Sequence, residues 1–250
     1  MFKAFIFDLD GVIVSTDELH YKAWKAIADR ENIPFDRTTN DRLRGVSRME
    51  SLEIILEKAN KTYTDEEKAA LAAAKNDIYV QSLSTLSQKD VAEGFFPLMK
   101  ALKGTNILCA VGSSSNNTKT ILRHLGITEY FVRIADGTDI TRSKPFPDVF
   151  LKAAEKLNVD PSVCLVVEDA RSGIDAGVAA GMKTAGINSA ATYEKTTYPI
   201  SSLSDLIPIA EEKEYPTGLA FVIADYFYGE KSVCALKSLF PDDFFRFRNR

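Results

Sequence analysis

From Gly94 to Ile187 the chain alternates between two apolar patterns, and this limits its folds more than any other feature. Continuous runs of strand length cover Thr105–Val111, Phe131–Ala135, Val163–Val167 and Lys183–Ile187. Helical stretches lie between them, over Thr118–Leu125, Pro147–Leu157 and Ser172–Ala180, with Gly126 and Gly181 as stops. Strands that alternate with helices build a parallel sheet covered on both faces. One more strand stands alone near the amino end, Phe5-Ile6-Phe7, and runs into Asp8-Leu9-Asp10-Gly11-Val12. The pattern predicts an α/β protein with a Rossmann-like parallel sheet core.

Residues 16–86 show no strand pattern. Leu19, Ala23, Trp24, Ile27 and Ala28 recur at helical spacing from Asp17 until Asn32-Ile33-Pro34. Met49, Leu52, Ile55, Leu56 and Ala59 suggest a second helix. Thr64 and Glu67 have the spacing of a capping box, opening a third that reaches about Ser84. An all-helical insert after the first strand would sit as a cap over the carboxyl edge of the sheet, where such folds bind ligands. The expected organisation is a core of residues 1–15 and 87–210, a helical cap domain of 16–86, and an extension of 211–250. The extension is rich in aromatics, Phe221, Tyr226, Phe227, Tyr228, Phe240, Phe244, Phe245 and Phe247 among them. It reads as an edge element, a packing arm or an oligomer contact.

Composition excludes some classes. Lys and Arg number 31 against 35 Asp and Glu, a net charge of −4, so there is no nucleic-acid footprint. No apolar run approaches the roughly 18 residues of a membrane span. Met1 leads almost directly into the first strand, without room for a secretory leader. Cys109 and Cys164 sit in apolar runs, far from Cys234, a spacing that suggests neither zinc nor a redox pair. The expectation is a cytoplasmic monomer that binds a small molecule, with no nucleic-acid or membrane partner.

Four strand ends carry polar groups to one sheet edge. They bring Asp8 and Asp10, then Gly112-Ser113-Ser114-Ser115-Asn116-Asn117, then Lys144-Pro145, and last Glu168-Asp169. Alternation along the strand would put Asp8 and Asp10 on one side, with Leu9 turned away. Each group has an ordinary explanation: an acidic turn, a helix cap at Ser113 or Ser115, a surface cation at Lys144. Together, in this order, they fit a phosphoryl-transfer site, which needs charge stabilisation and positioning. Asp8 would attack phosphorus. Mg²⁺ would screen the two anions, held by Asp8, the backbone carbonyl of Asp10, Glu168 and Asp169. Ser113 and nearby N–H groups would hold phosphoryl oxygens, Lys144 would neutralise charge, and Asp10 would carry a proton.

These four motifs resemble the haloacid dehalogenase-like superfamily of phosphotransferases, in which Asp8 would become an aspartyl phosphate. The insert, with His20, Trp24, Arg44-Gly45-Val46-Ser47-Arg48 and Lys75-Asn76-Asp77, is similar to the cap of its β-phosphoglucomutase family. The resemblance covers roughly residues 1–210. It implies a hinge at Thr16, sugar contacts from His20, Trp24 and Lys75, and closure of Gly45, Val46 and Arg48 over the substrate. It also implies interconversion of β-D-glucose 1-phosphate and β-D-glucose 6-phosphate through β-glucose 1,6-bisphosphate. Such a reaction holds two phosphates at once, and a cationic fork such as Arg48 suits the distal one. Ser114, Ser115, Asn116 and Asn117 would add neutral phosphate donors. The family often carries lysine where Asn116 stands, which leaves more of that attraction to Arg48. Two alternatives stay open: a Mg-dependent sugar-phosphate phosphatase, and a non-catalytic phosphosugar-binding protein.

Overall fold

Among the described residues, ladder pairing sets six short strands side by side, all parallel, in the order β3-β2-β1-β4-β5-β6. They are β1 (Ala4–Phe7), β2 (Leu108–Gly112), β3 (Arg133–Ala135), β4 (Cys164–Glu168), β5 (Lys183–Gly186) and β6 (Tyr198–Pro199). The chain is seen here in a computed structural model, which describes residues 1–43 and 46–211. The aromatic-rich 212–250 segment and the expectations attached to it lie outside the described residues, as does Gly45.

β1 is central, paired with β2 on one side and β4 on the other. Its period-two alternation sends Phe5 and Phe7 into one apolar layer and Ala4 and Ile6 into the other. β4 does the same with Leu165 and Val167 against Cys164 and Val166. With neither face wet, the strands have no polar alternation to show, which is why they read as continuous apolar runs. Cys109 and Cys164 are buried and free, small core residues as expected.

Helices α5 (Phe95–Leu102), α6 (Thr118–Leu125) and α9 (Leu206–Glu211) pack on the Phe5 face, through Phe95, Leu98, Ile121, Leu122 and Leu206. Helices α7 (Asp148–Leu157) and α8 (Arg171–Ala179) pack on the Ile6 face, through Val149, Phe150, Ala153 and Ala176. α6 has the limits its periodicity predicts, with Gly126 in the left-handed region at φ 66°.

Between β1 and α5 the described residues form four α-helices: α1 (Asp17–Arg30), α2 (Arg37–Asp41), α3 (Arg48–Leu56) and α4 (Asp65–Ser82). These helices enclose an apolar cluster of their own, with Trp24, Ile27, Phe35, Leu52, Ile55 and Leu71. Ala23, Tyr79 and Leu83 instead join the sheet's core. The Thr64–Glu67 capping box forms, with Glu67 N donating to Thr64 Oγ1 at 3.2 Å and Thr64 N to Glu67 Oε2 at 2.8 Å. Ser47 and Glu50 make a second box, which starts α3 at Arg48.

No helix among the described residues is long and apolar enough to cross a membrane.

Candidate active site

β1 ends at Phe7, so Asp8 and Asp10 owe their positions to the loop that follows and not to strand alternation. The loop turns at Gly11, whose φ of 84° lies in the left-handed region, and a side chain there would collide with the carboxylate of Asp169. Leu9 is turned into the core and fully buried, as expected. Asp8 and Asp10 both face one cavity of about 1010 Å³. The other residues singled out from sequence line the same cavity, apart from Gly45 and the buried Thr16 behind the wall.

The floor is charged and nearly dry. Lys144 donates to both Asp8 Oδ1 and Glu168 Oε1; the two carboxylates are buried and the lysine side chain is largely covered. Burial works against the ammonium of Lys144, but the two carboxylates outweigh it and hold its pKa above the ordinary range. Glu168 also accepts from the backbone N–H of Asp169 and of Ala170, at 3.0 and 3.1 Å. Burial nevertheless pushes its pKa up. Asp169 is pushed up to about 8, by burial first and then by Glu168 and Asp8. Gly173 lets α8 approach, since a side chain there would run into the Glu168 carboxylate.

Asp8, Glu168 and Asp169 each offer an oxygen, all within 4.8 Å of one another. Three acids crowd one lysine in a site where two of them are buried. The raised pKa values of Glu168 and Asp169 express that crowding, and a hard divalent cation would relieve it; the donor set fits such an ion. The Asp10 carboxylate is not among the three. Thr16 donates to it twice, from N–H at 2.8 Å and from the hydroxyl at 2.5 Å. Tyr79 in turn donates to Thr16 Oγ1 at 3.1 Å. Burial pushes Asp10 up to about 6, against the two bonds from Thr16.

The wall beyond β2 is built from short polar turns. Ser113 N–H donates to Ala135 O, Ser115 N–H to Ser113 Oγ, and Asn117 N–H to Ser115 Oγ. Asn117 stands at the N-cap position of α6, without using its side chain there. Neither Ser113 nor Ser115 holds that position. Ser113 is buried, Asn116 is exposed, and the Ser114 hydroxyl is buried with no partner among the described residues.

The helical side supplies cations. Lys75 is buried with Nζ 2.7 Å from His20 Nδ1, over the rings of Trp24 and Tyr79. Burial first, then Arg48, brings Lys75 down to about 7. His20 falls to about 3 through burial and the same two cations, so its ring stays neutral. An ammonium that donates to Nδ1 leaves the ring proton on Nε2, which lies 3.9 Å from Asp10 Oδ2. Trp24 is mainly a packing residue of the helical cluster, with one edge on the cavity. Val46 and Arg48 are exposed at the rim, and Arg48 Nη2 donates to Asn76 Oδ1 at 2.8 Å.

A family model described as haloacid dehalogenase-like hydrolase matches residues 2–181. The chain belongs to this family. Among relatives of this haloacid dehalogenase-like chain, the β-phosphoglucomutase of Bacillus subtilis is 44% identical over 206 residues, covering 82% of this chain and 91% of that one. The fructose-1-phosphate phosphatase YqaB of Escherichia coli is 31% identical over 185 residues, covering 72% and 94%. The crystal structure of β-phosphoglucomutase from Clostridium difficile superposes with a TM-score of 0.76 at 37% identity, covering 90% of this chain and 99% of that one. The parallel sheet with its helices is therefore the haloacid dehalogenase-like fold, as the motifs imply.

Three residues of the site escaped the sequence reading. Tyr79 lies one helical turn after Lys75, so the α4 stripe 72-75-76-79 was a usable signal. Asn76 was visible beside Lys75 but had no role. Gly173 carried no signal without knowledge that Glu168 lies beneath it.

Proposed function

We propose that this chain is a phosphomutase that interconverts β-D-glucose 1-phosphate and β-D-glucose 6-phosphate through an aspartyl phosphate on Asp8. The observation that carries this reading is the pairing, across one cavity, of the Asp8–Lys144–Glu168 floor with Arg48 at the first turn of α3. A phosphatase needs one phosphate site. A mutase working through β-glucose 1,6-bisphosphate needs two, and Arg48 beside Ser115, Asn116 and Asn117 supplies a second. The 44% identity to the Bacillus subtilis β-phosphoglucomutase supports the same reading.

Phosphorylated Asp8 passes its phosphoryl group to the 6-hydroxyl of β-glucose 1-phosphate, giving β-glucose 1,6-bisphosphate. The intermediate turns over, a carboxylate oxygen of Asp8 attacks the phosphorus on the 1-oxygen, and that P–O bond breaks. Lys144 and the Ser113 hydroxyl hold phosphoryl oxygens, and the Ser114 hydroxyl is a further donor. Asp10 takes the proton of the 6-hydroxyl as it is phosphorylated, then returns it to the departing 1-oxygen when the other phosphoryl group moves to Asp8. A pKa near 6 suits both directions. His20 and Lys75 place the sugar and Asp10. Mg²⁺, held by Asp8, the Asp10 carbonyl, Glu168 and Asp169, would supply charge screening between Asp8 and the phosphoryl oxygens. Residues 16–86 act as the cap, hinged at Thr16, and exclude water that would hydrolyse the aspartyl phosphate.

The test is a phosphorus NMR time course with β-glucose 1-phosphate, Mg²⁺ and a trace of bisphosphate. Isomerisation to the 6-phosphate supports the proposal. Stoichiometric inorganic phosphate would move the assignment to a sugar-phosphate phosphatase, the reading favoured by the Escherichia coli relative and by a neutral residue at Asn116. Inertness would favour a phosphosugar-binding protein, which has no use for the intact acids.

A further inference from the structure

Asn76 ties together two donors from opposite walls of the cavity. Its Oδ1 accepts from Arg48 Nη2 at 2.8 Å and from Asn117 Nδ2 at 3.3 Å. Arg48 opens α3, Asn76 lies on α4, and Asn117 precedes α6 on the sheet side. An amide carbonyl has two lone pairs, and both are used here. Three elements thus meet on one neutral atom, at the place where the proposed distal phosphate binds.

We infer that Asn76 is a positioning residue, a neutral placeholder that holds Arg48 and Asn117 ready for the second phosphate of the substrate and releases them to it. The inference rests on the bisphosphate reading above. A guanidinium–phosphate bond is charge-assisted and stronger than a guanidinium–amide bond, so the exchange runs toward the ligand. Held in place beforehand, the long Arg48 side chain loses less rotamer freedom on binding. A carboxylate at this position would grip Arg48 in competition with the phosphate and repel the incoming anion. An apolar residue would leave Arg48 and Asn117 unlinked. Only a neutral acceptor does both jobs.

The test is calorimetric binding of β-glucose 1,6-bisphosphate with Mg²⁺ to protein carrying Asp8→Asn, which cannot turn the ligand over. Asn76→Ala is expected to weaken binding ~5-fold or more, and the isosteric Asn76→Asp ~10-fold or more. In an Arg48→Ala background, Asn76→Ala should add less than ~2-fold, because its main client is gone. Thermal melts establish that each variant is folded, and Asn76→Asp serves if Asn76→Ala is not. An equal loss in both backgrounds, or wild-type binding by Asn76→Asp, overturns the inference while leaving the mutase reading intact. No binding by the Asp8→Asn protein itself would remove both.

Discussion

Thr16 gives Asp10 two hydrogen bonds, one from its backbone N–H at 2.8 Å and one from its hydroxyl at 2.5 Å. Thr16 also stands at the start of α1, so the residue that begins the helical segment is the one that holds the proposed acid/base group. Bonds to a carboxylate favour its charged form, and these two work against burial. Thr16→Val removes the hydroxyl and keeps the shape. The Asp10 pKa should then rise above about 6, and the acid limb of the kcat profile should move to higher pH by roughly half a unit to one unit. A pH–rate series on both proteins measures it.

Lys75 is a buried cation beside a second one, and its folded pKa is about 7 against 10.5 for the free side chain. Between those values the unfolded chain binds more protons than the folded one, so stability rises with pH across this window. Below pH 7 the cost of burying the charge is fully present. Lys75→Met should therefore raise stability at pH 7, by about 1–3 kcal/mol, while lowering turnover. The stability gap should narrow from pH 7 to 9.5 in urea denaturation.

The three acids of the floor should bind a divalent cation with release of protons. Asp169, at about 8, is mostly protonated at pH 7 and must lose its proton to act as a ligand. Mg²⁺ affinity should rise from pH 6 to 8, and titration calorimetry in buffers of different ionisation enthalpy should show about one proton released. Chelation should abolish turnover.

Gly173→Ala puts a methyl group into the carboxylate of Glu168, which Lys144 and two backbone N–H groups hold in place. A loss of about 2 kcal/mol or more is expected, with weakened metal binding. Chemical denaturation with and without Mg²⁺ checks both.

The parts that sequence made legible are those with local causes. The Thr64–Glu67 box and the Gly126 stop are short-range devices, and α4 begins and α6 ends where they say. Buried strands read as apolar runs because both faces are covered. α5 escaped because Phe95-Phe96-Pro97-Leu98-Met99 is apolar on consecutive positions and offers no helical period. β6 has two residues and α9 six, too short for any period. At the site, residue types pointed to phosphoryl transfer, but contacts did not follow from types. Lys144 reaches Asp8 and Glu168 together because of how loops far apart in the chain meet at one sheet edge, and Asp10 turns to Thr16 through the fold of their own short loop.

The account depends on a phosphoryl group residing on Asp8 between its departure from one sugar oxygen and its return to another. The direct measurement is a single turnover with β-glucose 1,6-bisphosphate and Mg²⁺, quenched in acid and mapped by peptide mass. The expected result is the mass of one phosphoryl group on the peptide bearing Asp8, absent in Asp8→Asn, with glucose monophosphate formed in equal amount. Turnover with no phosphorylated Asp8 peptide, or turnover retained in Asp8→Asn, would contradict it.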